Sequence, residues 1–214
     1  MSIMSTLLKK GISCPRCGEQ EIITIISGIN AAENPEFKQK ILDETLFDWQ
    51  CGRCGYTAQM SYPLVYHDPK GGYMVALYRT GTKANAVEAG PEISHLVKRR
   101  VKNLAELKEK ILIYDAGLDD VAVELNKNAL CTIIKESYST NKIKAYFSRL
   151  CDDGGIEFAI FLGGRQEPVY HATKKEVYDQ SAEVLRALNF SETNEFLRVG
   201  PTLAGKILER YKNI

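Results

Sequence analysis

Apolar positions along this chain change period several times, and each change predicts an element. Residues 20–29 set Ile22, Ile23, Ile25 and Ile26 among polar neighbours and read as a strand. Asn34-Pro35 opens a short helix through Leu42, with Phe37, Ile41 and Leu42 toward the core. Proline suits the first helical turn, where its missing N–H costs nothing. Leu46 to Gln50 predicts a strand, and Tyr56 to Tyr66 another, interrupted at Pro63. Tyr73 to Arg79 follows the turn residues Asp68-Pro69 and Gly71-Gly72 as a third. Residues 80–92 are rich in Gly, Ala, Thr and Asn, lack a period, and predict an exposed loop.

Beyond that loop the pattern turns helical. Leu96 to Val101 predicts a short strand, and Asn103-Leu104-Ala105-Glu106 then fits a capping box with Asn at the cap. The helix behind it sets Leu104, Leu107, Ile111 and Tyr114 on one face and stops at Gly117. Leu118, Val121, Leu125 and Ala129 continue with helical spacing to about Glu136. Ile143 to Cys151 and Ile156 to Leu162 flank Asp152-Asp153-Gly154-Gly155, a hairpin signal, and Val169 to Ala172 adds a strand. Thr173-Lys174-Lys175-Glu176 has the form of a capping box. Its helix puts Val177, Ser181, Val184 and Leu188 on one stripe. Phe196 to Val199 is extended, and Pro201 opens a terminal helix to Tyr211.

This order of elements predicts an α+β protein. Residues 1–79 form a zinc-ribbon unit with an antiparallel sheet. Residues 93–214 form a helix pair followed by a hairpin-and-helix α+β unit, and the loop 80–92 joins the two.

Composition narrows the function classes. Lys plus Arg is 28 and Asp plus Glu is 27, and both signs are spread along the chain. A dedicated nucleic-acid binder carries a basic excess, because phosphate contacts dominate its affinity. The balance here favours a protein partner over nucleic acid. No run approaches the roughly 18 apolar residues of a membrane span, so no membrane partner is expected. The start, Met1-Ser2-Ile3-Met4-Ser5-Thr6-Leu7-Leu8-Lys9-Lys10, has too short an apolar run for a secretory signal, and its charges follow that run. The expected compartment is the cytoplasm, where thiols stay reduced, which favours metal binding over disulfides for the six cysteines.

Four of those cysteines form two matching knuckles, Cys14-Pro15-Arg16-Cys17-Gly18 and Cys51-Gly52-Arg53-Cys54-Gly55. Two residues between cysteines let one tight turn aim both sulfurs at one point. The glycine after each pair can take positive φ and turn backbone N–H groups toward the sulfurs. Two such pairs complete a closed tetrahedral site for one structural zinc ion per chain, held by Cys14, Cys17, Cys51 and Cys54. The 33 residues between Cys17 and Cys51 exceed the usual spacing of about 15–20, but a strand, a helix and a strand fill the gap. Four thiolates do not choose between iron and zinc; the sequence lacks a compact aromatic shell around a short loop, which favours zinc and leaves iron as the minor alternative. Thiol redox chemistry fits less well: a redox Cys-x-x-Cys opens a helix in a βαβ setting, and neither knuckle has one.

The motif run Cys14-Pro15-x-Cys17, then Leu46-Phe47, Cys51-x-x-Cys54-Gly55-Tyr56 and Tyr62-Pro63-Leu64-Val65-Tyr66-His67-Asp68 resembles the CpXC family of bacteria and archaea. The helix pair from Asn103 to Ile111 and through Gly117-Leu118-Asp119-Asp120 is similar to that family as well, so the likeness covers about residues 12–135. The resemblance implies metal binding in a cytosolic protein and supplies no catalytic residue. Gly52 stands where the family motif has proline, which leaves the sulfur ligands untouched.

Other polar residues are weighed against plain structural roles. His67-Asp68 could do acid–base work or cap a turn at a strand end, and the turn is the stronger reading. His95 and His171 have no partner by spacing. Lys98-Arg99-Arg100-Val101-Lys102 could contact phosphates but reads as a solvated face. Cys131, among Leu130, Ile133 and Ile134, reads as a buried thiol, and Cys151 adjoins a turn. Gly163-Gly164 lacks the pattern of a phosphate loop. The leading expectation is a zinc-stabilised, non-enzymatic protein-interaction module. The alternatives are an enzyme with its site near His67/Asp68 or in the C-terminal third, and a nucleic-acid-binding zinc ribbon.

Overall fold

The computed structural model describes residues 5–78 and 95–214. In chain order the elements are β1 (Thr6–Ser13), β2 (Gln20–Asn30), α1 (Pro35–Leu42), β3 (Asp48–Gln50), β4 (Thr57–Gln59), β5 (Leu64–Asp68), β6 (Tyr73–Leu77), β7 (Val97–Val101), α2 (Leu104–Asp115), α3 (Asp120–Tyr138), β8 (Ile143–Leu150), β9 (Ile156–Leu162), β10 (Val169–Thr173), α4 (Lys175–Ala187) and α5 (Pro201–Lys212). The protein is α+β. It divides into two compact units, residues 1–108 with 194–196, and residues 109–193 with 197–214. The expected junction at 80–92 lies outside the described residues. The strand at 97–101, grouped by sequence with the later elements, is hydrogen bonded to β6 and belongs to the first unit.

The first unit is built on a five-stranded sheet of order β1-β2-β5-β6-β7. The expected antiparallel sheet is mixed: β2 runs parallel to β5, and β6 parallel to β7. Parallel neighbours need a crossover, and α1 with the small β3–β4 ribbon fills the one between β2 and β5. Both faces of β6 are covered, so Tyr73, Met74, Val75, Ala76 and Leu77 are all buried, a continuous apolar run instead of an alternation. The expected strand from Tyr56 to Tyr66 is two, β4 and β5. Tyr62 and Pro63 form the corner between them, and Tyr62 packs edge-on against Phe47 with ring centroids 4.7 Å apart. β1 was not predicted. Its residues are exposed along most of its length, so it lacks the alternation that marks a strand.

The basic run is not a solvated face. Lys98 and Arg99 are buried in β7, while Arg100 is exposed. The Lys98 ammonium donates to the backbone and side-chain oxygens of Asn194, and an Arg99 Nη donates to the Lys98 carbonyl at 3.1 Å. The burial of these charge-rich strand positions is set by tertiary packing, which periodicity cannot reveal.

The second unit is layered. A three-stranded antiparallel sheet of order β10-β9-β8 turns Phe147, Ile156, Phe158, Ile160 and Leu162 onto Ile113 of α2 and Val123 and Ile134 of α3. On its other side α3 presents Val121, Ala122 and Leu125 to Leu185, Leu188, Ala204 and Ile207 around α4 and α5. Lying between two apolar layers, the first half of α3 is buried all round, charged residues included. Ala129, expected on the buried stripe, is exposed. The cap at Asn103 forms as expected, its side-chain oxygen accepting from the Glu106 N–H at 2.9 Å. The capping box at Thr173 does not. α4 begins from Lys174 with no side-chain cap, and the Thr173 hydroxyl instead accepts from Asn126 at 2.9 Å.

Charges inside this unit are paired. Lys110 reaches Asp120 at 2.6 Å, with both side chains almost fully buried. Lys127 bridges Glu109 at 2.9 Å and Glu124 at 2.7 Å, and Glu109 also accepts the Phe147 N–H at 2.7 Å. Burial disfavours the charged form of Lys127, but Glu109 and Glu124 outweigh it and raise its pKa above the ordinary 10.5. A cation held up in this way contributes stability that is complete below 10.5 and is lost as pH rises through its folded value. The second unit should therefore lose cooperative stability under alkaline conditions beyond that pH. Lys127→Met, which strands two buried carboxylates, should cost about 3–5 kcal/mol in denaturant unfolding. A Met variant as stable as the parent would show that the cluster contributes no net stability.

Candidate metal centre

The two knuckles fold alike because their sequences set the same backbone constraints. In the first, the Cys14 N–H donates to the Glu19 carbonyl at 2.8 Å and the Gly18 N–H donates back to the Cys14 carbonyl at 2.9 Å. In the second, the Cys51 N–H donates to Tyr56 at 2.8 Å and the Gly55 N–H to Cys51 at 3.0 Å. Gly18 and Gly55 have φ of 75° and 68°. A Cβ on Gly18 would meet nothing within 4 Å, so the left-handed backbone, not lack of room, is what calls for glycine. The first knuckle is the tip of the β1–β2 hairpin and the second the tip of the β3–β4 ribbon.

The hairpin tips bring the four sulfurs together. Cys14 Sγ lies 3.7 Å from Cys54 Sγ, Cys17 Sγ lies 3.7 Å from Cys51 Sγ, and all four fall within 4.8 Å of one another. Four ligands about 2.3 Å from a central ion sit about 3.8 Å apart along each tetrahedral edge. The cluster has those dimensions, and the donor set is all thiol. Cys14 and Cys51 are buried, and Cys17 and Cys54 are half-buried. Two contacts tie one knuckle to the other: Glu21 accepts the Gly52 N–H at 2.8 Å, and Arg53 pairs with Glu19 at 2.9 Å. The expected trio of metal-ligand spacing, glycine turn and inward N–H groups is present.

The electrostatics of the cluster call for a cation. Burial opposes ionisation of Cys14, yet the backbone N–H groups of Cys17 and Arg16 and the neighbouring thiols outweigh it and lower its pKa to about 7. The Cys54 N–H assists ionisation of Cys51, but burial and the sulfurs of Cys14 and Cys54 prevail and push that thiol up to about 12. One thiolate forms readily and then resists the next. A divalent ion at the centre reverses that repulsion, and binding it displaces the remaining protons.

The other singled-out residues do not join this site. Asp68 accepts from the Lys70 and Gly71 N–H groups at 3.1 and 3.0 Å and from Lys38 at 3.4 Å, so its carboxylate closes the β5–β6 turn. His67 is buried beside it, and burial lowers its pKa despite the nearby Asp68 charge. Its Nδ1 has no hydrogen-bond partner among the described residues. His95 is exposed and His171 half-exposed. Cys131 and Cys151 are half-buried, outside the four-sulfur group. A groove of about 430 Å³ in the second unit is lined by Asp119, Leu185, Arg186 and Phe190. Its carboxylate, Asp119, already caps α3 through the Val121 and Ala122 N–H groups.

Strands of three residues are marginal without outside support, so β3 and β4 depend on their tip. Chelation under reducing conditions should raise amide exchange by well over tenfold across about residues 6–26 and 48–59 while β5, β6 and residues 109–214 keep their protection. Trp49, the single tryptophan, stands two residues before Cys51 and edge-on to Tyr56, so its fluorescence should change with the same titration. Unchanged protection at the knuckles would show that no ion supports them.

No curated protein matches the chain, and no solved structure does. A family model does: the one described as CpXC protein aligns with residues 12–127, more than half of the chain, covering both knuckles, β2 to β7 and α2 into α3. With the paired cysteine motifs and the spans of sheet and helix aligned together, the chain belongs to the CpXC family.

Proposed function

We propose that the four cysteines hold one zinc ion per chain as a structural crosslink, and that the protein is a cytoplasmic, non-enzymatic protein-interaction module. The observation that carries the reading is the four-sulfur cluster at two hairpin tips. Four thiolates fill a tetrahedron and leave no position for water, so the site suits holding and not hydrolysis. Zinc is favoured over iron because a closed site at two knuckles is its usual structural setting.

The interaction surface follows from the same hairpin. β1 is the terminal strand of its sheet, and over residues 20–27 β2 pairs only with β1. The hairpin leaves Leu7, Leu8 and Ile22 largely exposed, Ile22 at 77%. An edge strand with no further strand beside it among the described residues, next to exposed aliphatic side chains, suits an added extended segment of another protein. Lys9 and Lys10 on the same strand disfavour pairing with a second copy of itself and favour an acidic partner segment.

Purified protein should contain one zinc per chain and be colourless. Substoichiometric zinc, or a red protein with stoichiometric iron, would overturn the metal assignment. Affinity capture from native lysate should recover a partner with the parent protein and lose it with Leu7→Ser/Ile22→Ser, whose side chains are exposed and whose fold should survive. Capture that is indifferent to this pair would place the interaction elsewhere.

A further inference from the structure

The sheet of the second unit has two faces, and only one is used by the core. Phe147, Ile156, Phe158, Ile160 and Leu162 point inward. The register then fixes what points outward. Tyr146, Ala159 and Tyr170 form one row across the three strands, and Lys144 and Phe161 form the next. Tyr146 and Phe161 meet edge-on with centroids 6.1 Å apart, an ordinary cross-strand aromatic pair. Tyr170 has no such explanation. It faces the small Ala159, is 59% exposed, and has no ring contact among the described residues. β-strand spacing places the two tyrosines about 10 Å apart with only a methyl group between them.

On and beside this face basic groups outnumber acidic ones, even with the exposed Glu167 just before β10 counted. The carboxylate on it, Glu157, is taken by a two-pronged contact from Arg149, both bonds 3.0 Å, and by Ser148 at 3.1 Å. Lys144 projects from the same face. Lys142 and Arg165 stand at the adjoining end of the sheet, where the Gly163 N–H donates to the Lys142 carbonyl and the Arg165 N–H to Leu162. None of these three cations has an ion-pair partner among the described residues. The two rows contain no Leu, Ile, Val or Met.

We propose that the outer face of the β8–β9–β10 sheet binds single-stranded nucleic acid. Bases stack on Tyr170, Tyr146 and Phe161, with Ala159 giving a flat floor between the tyrosines, and Lys144, Lys142 and Arg165 take the phosphates. The exposed Tyr170 ring and the methyl floor beside it suit planar bases of any sequence, whereas an aliphatic protein segment would find no aliphatic partner here. Stacked bases within a duplex offer no free π-face, so a flat sheet selects single strands. This site is separate from the cysteine ribbon and from the buried Lys98–Arg99 pair. Three cations on a protein of net charge +1 predict modest affinity with a shallow salt dependence.

The test is fluorescence anisotropy of a labelled mixed-sequence single strand, as RNA and as DNA, and of its duplex, with the full metal-loaded chain. Single strands of at least one kind should bind saturably at low salt, with a log–log salt slope of about −2 for three phosphate contacts. The duplex should bind about tenfold more weakly or worse. Tyr170→Ala should lose about tenfold or more, and Tyr170→Phe should bind as the parent. Lys144→Ala should flatten the slope by about 0.7. Tyr170 is exposed, so its variants should keep the parent's melting temperature. Phe161→Ala should also weaken binding, and if it lowers the melting temperature the two Tyr170 variants alone decide. Absence of single-strand binding, or binding unchanged in Tyr170→Ala, overturns the proposal. So does a concentration-dependent dimer that Tyr170→Ala dissolves, which would assign the face to a second copy of the chain.

Discussion

Sulfur ligands repel one another when they ionise, and the first unit is organised around that constraint. Its two knuckles aim four thiols into a volume less than 5 Å across, with Cys14 poised to ionise and Cys51 held back. A structure of that kind is self-consistent once a cation sits among the sulfurs. The crosslink then acts at the tips of two hairpins that have little else to hold them. β3 and β4 are three residues each, and β1 buries almost nothing. The trunk of the unit needs less help, because β5 and β6 are covered on both faces. The proposed metal is therefore a local splint for an exposed arm, which is where an interaction surface has most use for rigidity.

The second unit solves a different problem. α3 lies between an apolar sheet and an apolar helix layer, yet its buried half carries Asp120, Glu124 and Lys127. Burying one of these charges alone would be prohibitive. Each is matched instead, Asp120 by Lys110, and Lys127 by Glu109 and Glu124 together. Hydrophobic residues of similar volume could stabilise the same contacts equally well. Paired charges add register: Lys127 meets Glu109 only when α3 stands at one height against α2, and Glu109 meets the Phe147 N–H only when β8 does the same.

These two solutions explain what was legible in the sequence. The clustering of the four cysteines could be read because its requirements are local: a fixed spacing, a proline or glycine turn, a glycine at positive φ. The helices and the β8–β9 hairpin could be read because their periods are regular. Three features could not. β1 is an exposed strand with no apolar face to give it a period. Lys98 and Arg99 look solvated until β7 is known to lie against β6. The Thr173 box has the right letters, but its hydroxyl is drawn to Asn126 by tertiary packing. The parallel pairings β2–β5 and β6–β7 escaped as well, because even the continuous apolar run of β6 does not say which strand lies beside it or in which direction.

A near-zero net charge weighs against nucleic acid for the chain as a whole, but the second unit shows how little it constrains a single site. Charge balance over a whole chain counts Glu109, Asp120 and Glu124, which neutralise buried lysines and project no field outward. It counts Glu157, which Arg149 neutralises on the surface. What a ligand meets at the outer sheet face is the remainder, and there Lys144, Lys142 and Arg165, without an ion pair among the described residues, outnumber the acid Glu167. Screening limits the reach of exposed charges to about 10 Å at ordinary ionic strength, so the local remainder and not the chain total sets the sign of the encounter. Aromatic rings beside those cations then decide which anion is preferred, because a phosphate that brings a base gains a stacking contact that a bare phosphate lacks.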